Sequence, residues 1–330
     1  MKLSRLGEFG LIQRIQHALP VGRGVRIGIG DDAAWVENPA GSSLVTADLL
    51  IEGVHFELKW ISLFELGYKS LAVNLSDIAA MGGVAAYAIL SLGIPADFDS
   101  GAIDEFYRGV NALARPNRVA IAGGDTNMAE SLIVSVCVIG HAPYRPVRRG
   151  GAKVGDDIYV TGTVGDSALA LKFLRQHKSR SRRKDVARLV ERHHRPTPRL
   201  TIGALLAKNR LATAMIDISD GLMQDLAHIC RASGTGAVIR QDHLPLSRAY
   251  RALAGKDGVR HALSGGEDYE LLFCARNRNR ARVAKLRSRA GVAITRIGSC
   301  VAADKGIVVV DRSEKPVAIS PKGHDHFKKA

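Results

Sequence analysis

Acidic residues recur beside apolar, glycine-containing runs in this 330-residue chain. Asp31 and Asp32 follow IGIG, Asp48 ends SLVTAD, Asp125 ends VAIAGGD, and Asp217 and Asp220 lie in AMIDISDG. We predict that these acids lie at the C-terminal ends of buried strands. Mg²⁺ takes oxygen ligands in octahedral geometry and usually keeps waters and substrate phosphates as partners. Neighbouring glycines let a polyphosphate approach the backbone. The pattern therefore predicts a magnesium–phosphate site.

A further acid, Asp77 in NLSDIAA, is expected on a helix, from which its carboxylate could close the same cluster. One such acid alone is more typical of a turn or a helix cap, so the repeated context carries the prediction. The chain has no P-loop and no protein-kinase motifs, and GRGVRIGIG lacks the dinucleotide-binding spacing. Any nucleotide is therefore expected on another fold.

The elements that position these acids can be read from hydrophobic periodicity. In the first half we predict an amphipathic segment over 9–19, strands in VRIGIG, SLVTADLL, YAILSLGI, RVAIAGG and SLIVSVCVIG, and helices over 62–81 and 104–114. Ser62 is the expected N-cap of the first of these helices. The half is a mixed α/β unit.

The pattern breaks in HAPYRPVRRGGAKVGD, where we place a boundary between domains 1–145 and 146–330. Beyond it we predict strands in IYVTGTVG, MIDIS, GAVIR, YELLFCA, ITRIGSC and GIVVVD, and a helix from Ser167. Ser219 is expected to cap a second helix that stops at Gly234.

The chain is strongly basic, with a net charge of +15, and much of the excess lies in tracts 175–199 and 276–289. Neither tract has interleaved aromatic residues for base stacking, so we predict solvated helix faces. Four scattered cysteines indicate reduced thiols rather than disulfides or a zinc site. No secretory signal or membrane span is evident, which favours a cytoplasmic protein.

Longer motifs carry a resemblance. GIGDDAA, TADLLIEGVHF, YKSLAVNLSDIAAMG, GGDT, RPTPR, IDISDGLMQDLAHI, LSGGEDYELLF and KGHDHF occur in this order nearly from end to end. Together they closely resemble the thiamine-monophosphate kinases, which belong to the superfamily of aminoimidazole ribonucleotide synthetase. NLSDIAAMG and SGGEDYEL indicate the kinase, whereas GGDT indicates only the superfamily.

The resemblance implies a two-domain α/β fold and a homodimer in which N-terminal strands form a shared barrel. It implies ATP and several Mg²⁺ ions near the dimer interface. The reaction would be phosphoryl transfer from ATP to thiamine monophosphate, the last step of thiamine diphosphate biosynthesis. A phosphate monoester has a second pKa of ~6, so this acceptor requires no general base.

The same resemblance assigns site residues. Metal ligands would be Asp32, Thr46, Ala47 through its backbone, Asp48, Asp77, Asp125, Asp217 and Asp220. Nucleotide contacts would be Gly124, Asp125, Arg149 and Ser219, and substrate contacts would be His55, Glu267 and His324. Ala47 departs from the usual Thr, and His324 from the usual Trp or Tyr that stacks on the substrate ring. Spacing alone leaves Asp268 and Glu270 as alternatives to Glu267.

The sequence is also compatible with two other functions. The first is another enzyme of the superfamily with a different acceptor, although selenophosphate synthetase needs an N-terminal reactive cysteine and no cysteine precedes Cys137. The second is nucleic-acid binding through the basic tracts, which we do not expect.

Overall fold

Two six-stranded sheets, each covered by helices, make up the structure. A computed structural model of the chain describes residues 10, 12, 13, 16, 25–28, 30–38, 41–176, 184–255 and 258–317, and all structural statements refer to these. Within these ranges no helix combines the length and the apolar character needed to cross a membrane.

The first sheet has the order β1-β2-β3-β6-β4-β5, in which only β4 and β5 are parallel neighbours. Its strands are β1 (Val25–Ile27), β2 (Ala34–Asn38), β3 (Gly41–Ile51), β4 (Val84–Ile94), β5 (Ala120–Met128) and β6 (Ile133–His141). Helices α1 (Leu63–Ala80) and α2 (Ser100–Ala114) belong to the same half. Side chains alternate along β3, so that Leu44, Thr46 and Leu50 are buried while Leu49 is exposed.

Helix α1 begins and ends where the sequence predicts. Ser62 and Glu65 form a reciprocal capping box, and Met81 is the C-cap before a glycine pair. Helix α2 begins at Ser100 rather than at Asp104, because the Asp99 carboxylate accepts the Gly101 N–H and caps the helix earlier.

The second sheet has the order β12-β9-β11-β7-β10-β8, in which only β12 and β9 are parallel neighbours. Its strands are β7 (Asp156–Thr161), β8 (Ala212–Asp217), β9 (Thr235–Arg240), β10 (Leu271–Arg276), β11 (Ile294–Ala302) and β12 (Ile307–Val310). The helices are α3 (Asp166–Arg175), α4 (Lys184–His194), α5 (Leu200–Lys208), α6 (Leu222–Ser233), α7 (Arg248–Leu253), α8 (Gly258–Ser264) and α9 (Arg280–Ala290). Three short 3-10 segments follow β9, β10 and β11.

The C-terminal end of α1 joins the two halves. Ala79 and Ala80 share a buried apolar cluster with Ile202 and Leu206 of α5. At Gly203 a Cβ would lie 2.1 Å from the Ala79 carbonyl oxygen, so only glycine permits this approach of the two helices. Residues 142–155, between the sheets, contain no helix or strand. The domain boundary at 145/146 stays a prediction.

Candidate active site

Three buried or half-buried carboxylates from separate elements meet in one cluster. Asp32 precedes β2, Asp77 lies on α1, and Asp217 is the last residue of β8. One oxygen from each lies within 4.8 Å of the others. The helix position predicted for Asp77 and the strand-end position predicted for Asp217 are confirmed.

The cluster concentrates negative charge away from water. Burial, and then repulsion from Asp48, Asp217 and Asp32, raises the pKa of Asp77 well above its ordinary value. Burial, and then Asp32, raises the pKa of Asp217 to about 8. Burial raises the pKa of Asp48 to about 6. A multivalent cation would relieve this repulsion.

Hydroxyl groups hold two of the carboxylates. Thr46 Oγ1 donates to Asp77 Oδ2 at 2.5 Å, and Ser76 Oγ donates to Asp217 Oδ2 at 2.6 Å. Thr46 and Asp48 lie within β3 rather than at its C-terminal end, because the strand continues to Ile51. The sequence prediction of a strand end at Asp48 is therefore wrong.

Arg149 is paired with the acid cluster. Its Nε and Nη2 atoms donate to the two Asp32 oxygens at 3.2 and 3.1 Å, and its backbone N–H donates to Asp31. Burial opposes the charged guanidinium, but Asp32 outweighs it and raises the pKa of Arg149. The side chain is thus a fixed cation beside the carboxylates, suited to phosphate oxygens.

Ser219 and Asp220 lie in the loop after β8, and Ser219 does not cap the following helix. Helix α6 begins at Leu222 with Gly221 as N-cap, and that cap has no side-chain hydrogen bond. The buried Asp225 carboxylate instead accepts the N–H groups of Asp220 and Gly221 at 3.3 and 3.0 Å. The cap predicted at Ser219 is wrong, because Asp225, a residue of the helix itself, accepts the N–H groups that a capping side chain would have bound.

A cavity of about 820 Å³ adjoins the cluster. It is lined by most of the residues that the sequence assigned to metal, nucleotide and substrate: Ala47, Asp48, His55, Asp77, Asp217, Ser219, Asp220 and Glu267. Phe56, Trp60 and Val73 form an apolar part of the cavity wall. His55 Nδ1 accepts the Ile51 N–H at 3.0 Å, so the neutral ring carries its proton on Nε2.

The three acids of SGGEDYE have different surroundings. Glu267 lines the cavity, and Lys69 Nζ lies 2.6 Å from its Oε1. Asp268 accepts the Gly165 and Ser167 N–H groups at the start of α3. The fully buried Glu270 accepts from Arg192, Arg199 and Thr161. Geometry therefore favours Glu267 over both alternatives as the acid that can reach a ligand.

Gly124 and Asp125 lie apart from the main cavity. They belong to β5, which is exposed along its whole length, and they line a second cavity of about 450 Å³. The prediction that Asp125 ends a buried strand is wrong, because β5 is an edge strand that continues to Met128. The remaining substrate residue, His324, lies outside the described residues.

Sequence reasoning missed four residues at the site: Lys69, Ser76, His193 and Asp225. A usable signal existed for Lys69, since Lys69, Val73 and Asp77 are spaced by four on a predicted helix and so share one face. His193 lies in the basic tract 175–199, for which we predicted a solvated helix face. Ser76 and Asp225 had no distinguishing signal.

The first basic tract is only partly the solvated face that we predicted. On α4 the side chains of Val186, Leu189, His193 and His194 are buried, so this helix is amphipathic and packed. Arg192 bonds to Glu270 and Asp166, both of them buried. The second tract fits the prediction better, because on α9 only Val283 and Leu286 are buried. Residues 177–183 lie outside the described ranges.

Comparison with known proteins identifies the family. The model for the N-terminal domain of AIR synthase related proteins matches residues 30–142, and the model for the C-terminal domain matches residues 153–311. Thiamine-monophosphate kinase of Salmonella typhimurium is 42% identical over 97% of this chain and 98% of its own length.

Solved structures agree. One described as AaThiL complexed with AMPPCP and TMP has a TM-score of 0.86 at 35% identity, covering 99% of both chains. Thiamine-monophosphate kinase from Stenotrophomonas maltophilia has a TM-score of 0.77 at 40% identity, covering 92% of this chain and 96% of that one. The chain has the mixed α/β, two-domain fold of the AIR synthase related proteins, and it belongs to the thiamine-monophosphate kinase family.

Proposed function

We propose that this enzyme transfers the γ-phosphoryl group of ATP to the phosphate of thiamine monophosphate, giving thiamine diphosphate, and that it requires Mg²⁺. The observation that carries the proposal is the convergence of acids, Ser219 and Glu267 on one 820 Å³ cavity. The relative described as complexed with AMPPCP and TMP supports the same substrates.

The residues present fit Mg²⁺. Asp32, Asp77 and Asp217 supply hard oxygen donors within 4.8 Å of one another. Burial, and then repulsion from neighbouring carboxylates, raises the pKa values of Asp77 and Asp217. Ala47, Asp48 and Asp220 line the adjoining cavity and belong to the proposed ligand set, together with Thr46 and Asp125. When bound, Mg²⁺ would cancel the repulsion between the acceptor phosphate and the ATP phosphates.

Catalysis of phosphoryl transfer depends mainly on positioning the reacting groups and on stabilising the charge of the phosphates, and the chain's own residues would do both. Arg149 donates to Asp32 through Nε and Nη2, and its remaining guanidinium N–H groups would be directed to phosphate oxygens beside the cluster. His55 and Glu267 would contact the thiamine moiety, and the proposed contact by His324 needs a residue outside the described ranges. No general base is assigned, because the phosphate nucleophile is largely ionised at neutral pH.

We also propose a homodimer in which a second copy covers the outer face of the first sheet, closing the shared barrel. Large apolar side chains are exposed on that face: Leu49 49%, Tyr87 53% and Ile89 38%. The apolar Met128 is 80% exposed on β5, at the edge of the same sheet. Monomeric proteins rarely leave such a patch and such an edge uncovered.

Strand register gives the dimer a role in the site. Asp48 pairs across the sheet with Val136, which pairs with Leu90, which pairs with Gly124 next to Asp125. Asp48 and Asp125 are thus three strands apart, roughly 14 Å at the usual strand spacing. One ion cannot contact both in a single protomer, so Asp125 is proposed to act in the partner's site.

The proposed reaction is tested by incubating the enzyme with ATP and thiamine monophosphate and measuring thiamine diphosphate by chromatography. We expect product with Mg²⁺ and none after chelation. ATP consumption without thiamine diphosphate would refute the substrate assignment. Undiminished product in excess chelator would refute the metal requirement.

A further inference from the structure

The large cavity follows one face of α1. Lys69, Val73 and Asp77 all line it, and the spacing of eight residues separates Lys69 from Asp77 by about 12 Å along the helix axis. Asp77 belongs to the acid cluster, where phosphates are proposed to bind. Lys69 therefore lies at the opposite end, where an extended substrate would place its heterocycle.

Lys69 is almost completely buried and forms an ion pair with Glu267. Its side chain is 2% exposed, and its Nζ lies 2.6 Å from Glu267 Oε1. The lysine belongs to α1 of the first half, whereas Glu267 lies between α8 and β10 of the second. The ion pair thus connects the loop that carries Glu267 in the second half to the helix that carries Asp77 in the first half.

The Glu267 loop has a backbone that needs external support. Glu267 has φ = +66° and Tyr269 has φ = +50°, both in the left-handed region that non-glycine residues rarely adopt. Their N–H groups donate to the carbonyls of Ser219 and Ile218 at 2.7 and 2.9 Å. A shift of this loop would therefore also disturb Ser219, the proposed nucleotide contact.

We propose that Lys69 is a positioning residue that fixes the Glu267 carboxylate against the heterocyclic end of the substrate. This inference rests on the proposed function and adds a determinant of substrate affinity to it. An ionised, immobile carboxylate accepts hydrogen bonds from the exocyclic amino group of an aminopyrimidine. A carboxylate without this partner in the same half-buried place would be mobile and more costly to ionise.

The charges around Glu267 agree with this role. Burial opposes ionisation of Glu267, but Lys69, together with smaller effects of His193 and His55, outweighs it and lowers the pKa of Glu267 to about 2. Burial, and then Lys69, lowers the pKa of His193 to about 3, so this ring is neutral. His193 Nδ1 lies 2.7 Å from Ser167 Oγ and 3.5 Å from Glu267 Oε2. His55 and Tyr269 are the other titratable groups that interact with Glu267 through their charges.

Steady-state kinetics of Lys69→Met, with Lys285→Met on the exposed face of α9 as control, test the inference. We expect the KM for thiamine monophosphate to rise at least ~10-fold in Lys69→Met, while kcat and the KM for ATP change less than ~3-fold. Lys69→Arg keeps the charge and should recover part of the affinity. An unchanged KM, or a fall in kcat alone, would overturn the inference.

Unfolding experiments test the ion pair without any substrate. Because Lys69 depresses the folded-state pKa of Glu267, its contribution to stability is present above pH 4.5 and is lost as pH falls towards 2. The difference in Tm between wild type and Lys69→Met should therefore shrink from pH 7 to pH 3. The double variant Lys69→Met/Glu267→Gln buries no unpaired charge, so it should be more stable than Lys69→Met at pH 7.

A Tm difference that does not depend on pH, or no gain in the double variant, would overturn the ion-pair role. If Lys69→Met does not fold, the double variant supplies the kinetic measurement, and it should keep the raised KM. A wild-type enzyme that leaves thiamine monophosphate unchanged would refute the proposed function and with it the substrate contact. The unfolding comparison would still decide the ion pair.

Discussion

The hydroxyl of Ser76 on α1 donates a 2.6 Å hydrogen bond to the carboxylate of Asp217 at the end of β8. Both residues are buried, and they are 141 positions apart in the chain. This bond fixes an acid from the second sheet relative to the helix that carries Asp77. Outer hydrogen bonds of this kind orient metal ligands.

Ser76→Ala should weaken Mg²⁺ binding about 10-fold by releasing the Asp217 carboxylate. Ser70→Ala is the matched control, because Ser70 is buried on the same helix but donates only to the Gly67 carbonyl. Mg²⁺ titration followed by calorimetry measures both variants. Equal losses in the two would show that the effect comes from helix α1 as a whole.

Asp125→Asn should reduce activity at least ~100-fold while leaving the protein folded, since Asp125 is exposed and belongs to none of the three buried apolar clusters. Asp217→Asn should be similarly inactive. If Asp125 acts in the partner's site, mixing the two inactive variants under subunit exchange restores one intact site per mixed dimer. About a quarter of wild-type activity is then expected.

The assay for this mixture is thiamine diphosphate formation, after light scattering has established the dimer. Each variant mixed with itself serves as the control. A mixture that stays inactive although mixed dimers are present would place Asp125 and Asp217 in the site of a single protomer.

Arg192→Met should destabilise the fold by about 2 kcal/mol, because it removes a cation shared by two buried carboxylates. Arg192 Nη2 lies 3.0 Å from Glu270 Oε1, and Nε lies 3.1 Å from Asp166 Oδ2. Arg188→Met, an exposed arginine of the same helix, should change stability by less than ~0.5 kcal/mol. Urea unfolding monitored by circular dichroism compares them. Equal stabilities would show that Arg192 contributes no more to the fold than a solvated arginine.

Much of the fold could be predicted because local signals agreed with it. The Ser62 capping box and the glycine pair after Met81 define α1, and alternation of apolar residues defines β3 and β6. Predictions failed where the outcome was decided by a hydrogen bond or a strand position that residue type and spacing do not reveal. Asp225 replaced Ser219 at the start of α6, and the edge position of β5 left Asp125 exposed.

The site divides in the same way. The acid cluster could be predicted, because repeated aspartates beside glycines are the residue types that bind Mg²⁺ and phosphate. Residue type alone did not identify Lys69, although its spacing from Val73 and Asp77 on one helix face was a usable signal. His193 could not be assigned, because a histidine within a basic tract is an ordinary surface residue until packing buries it. Spacing also could not separate Glu267 from Asp268 and Glu270, which took structural roles.

The ratio of kcat/KM for thiamine monophosphate to that for thiamine tests the central claim most directly. The two acceptors differ only in the phosphate that the acid cluster is proposed to recognise through Mg²⁺. We predict a ratio of at least ~100, because thiamine lacks the anionic nucleophile. Comparable turnover of thiamine, with a single phosphate added, would contradict the account.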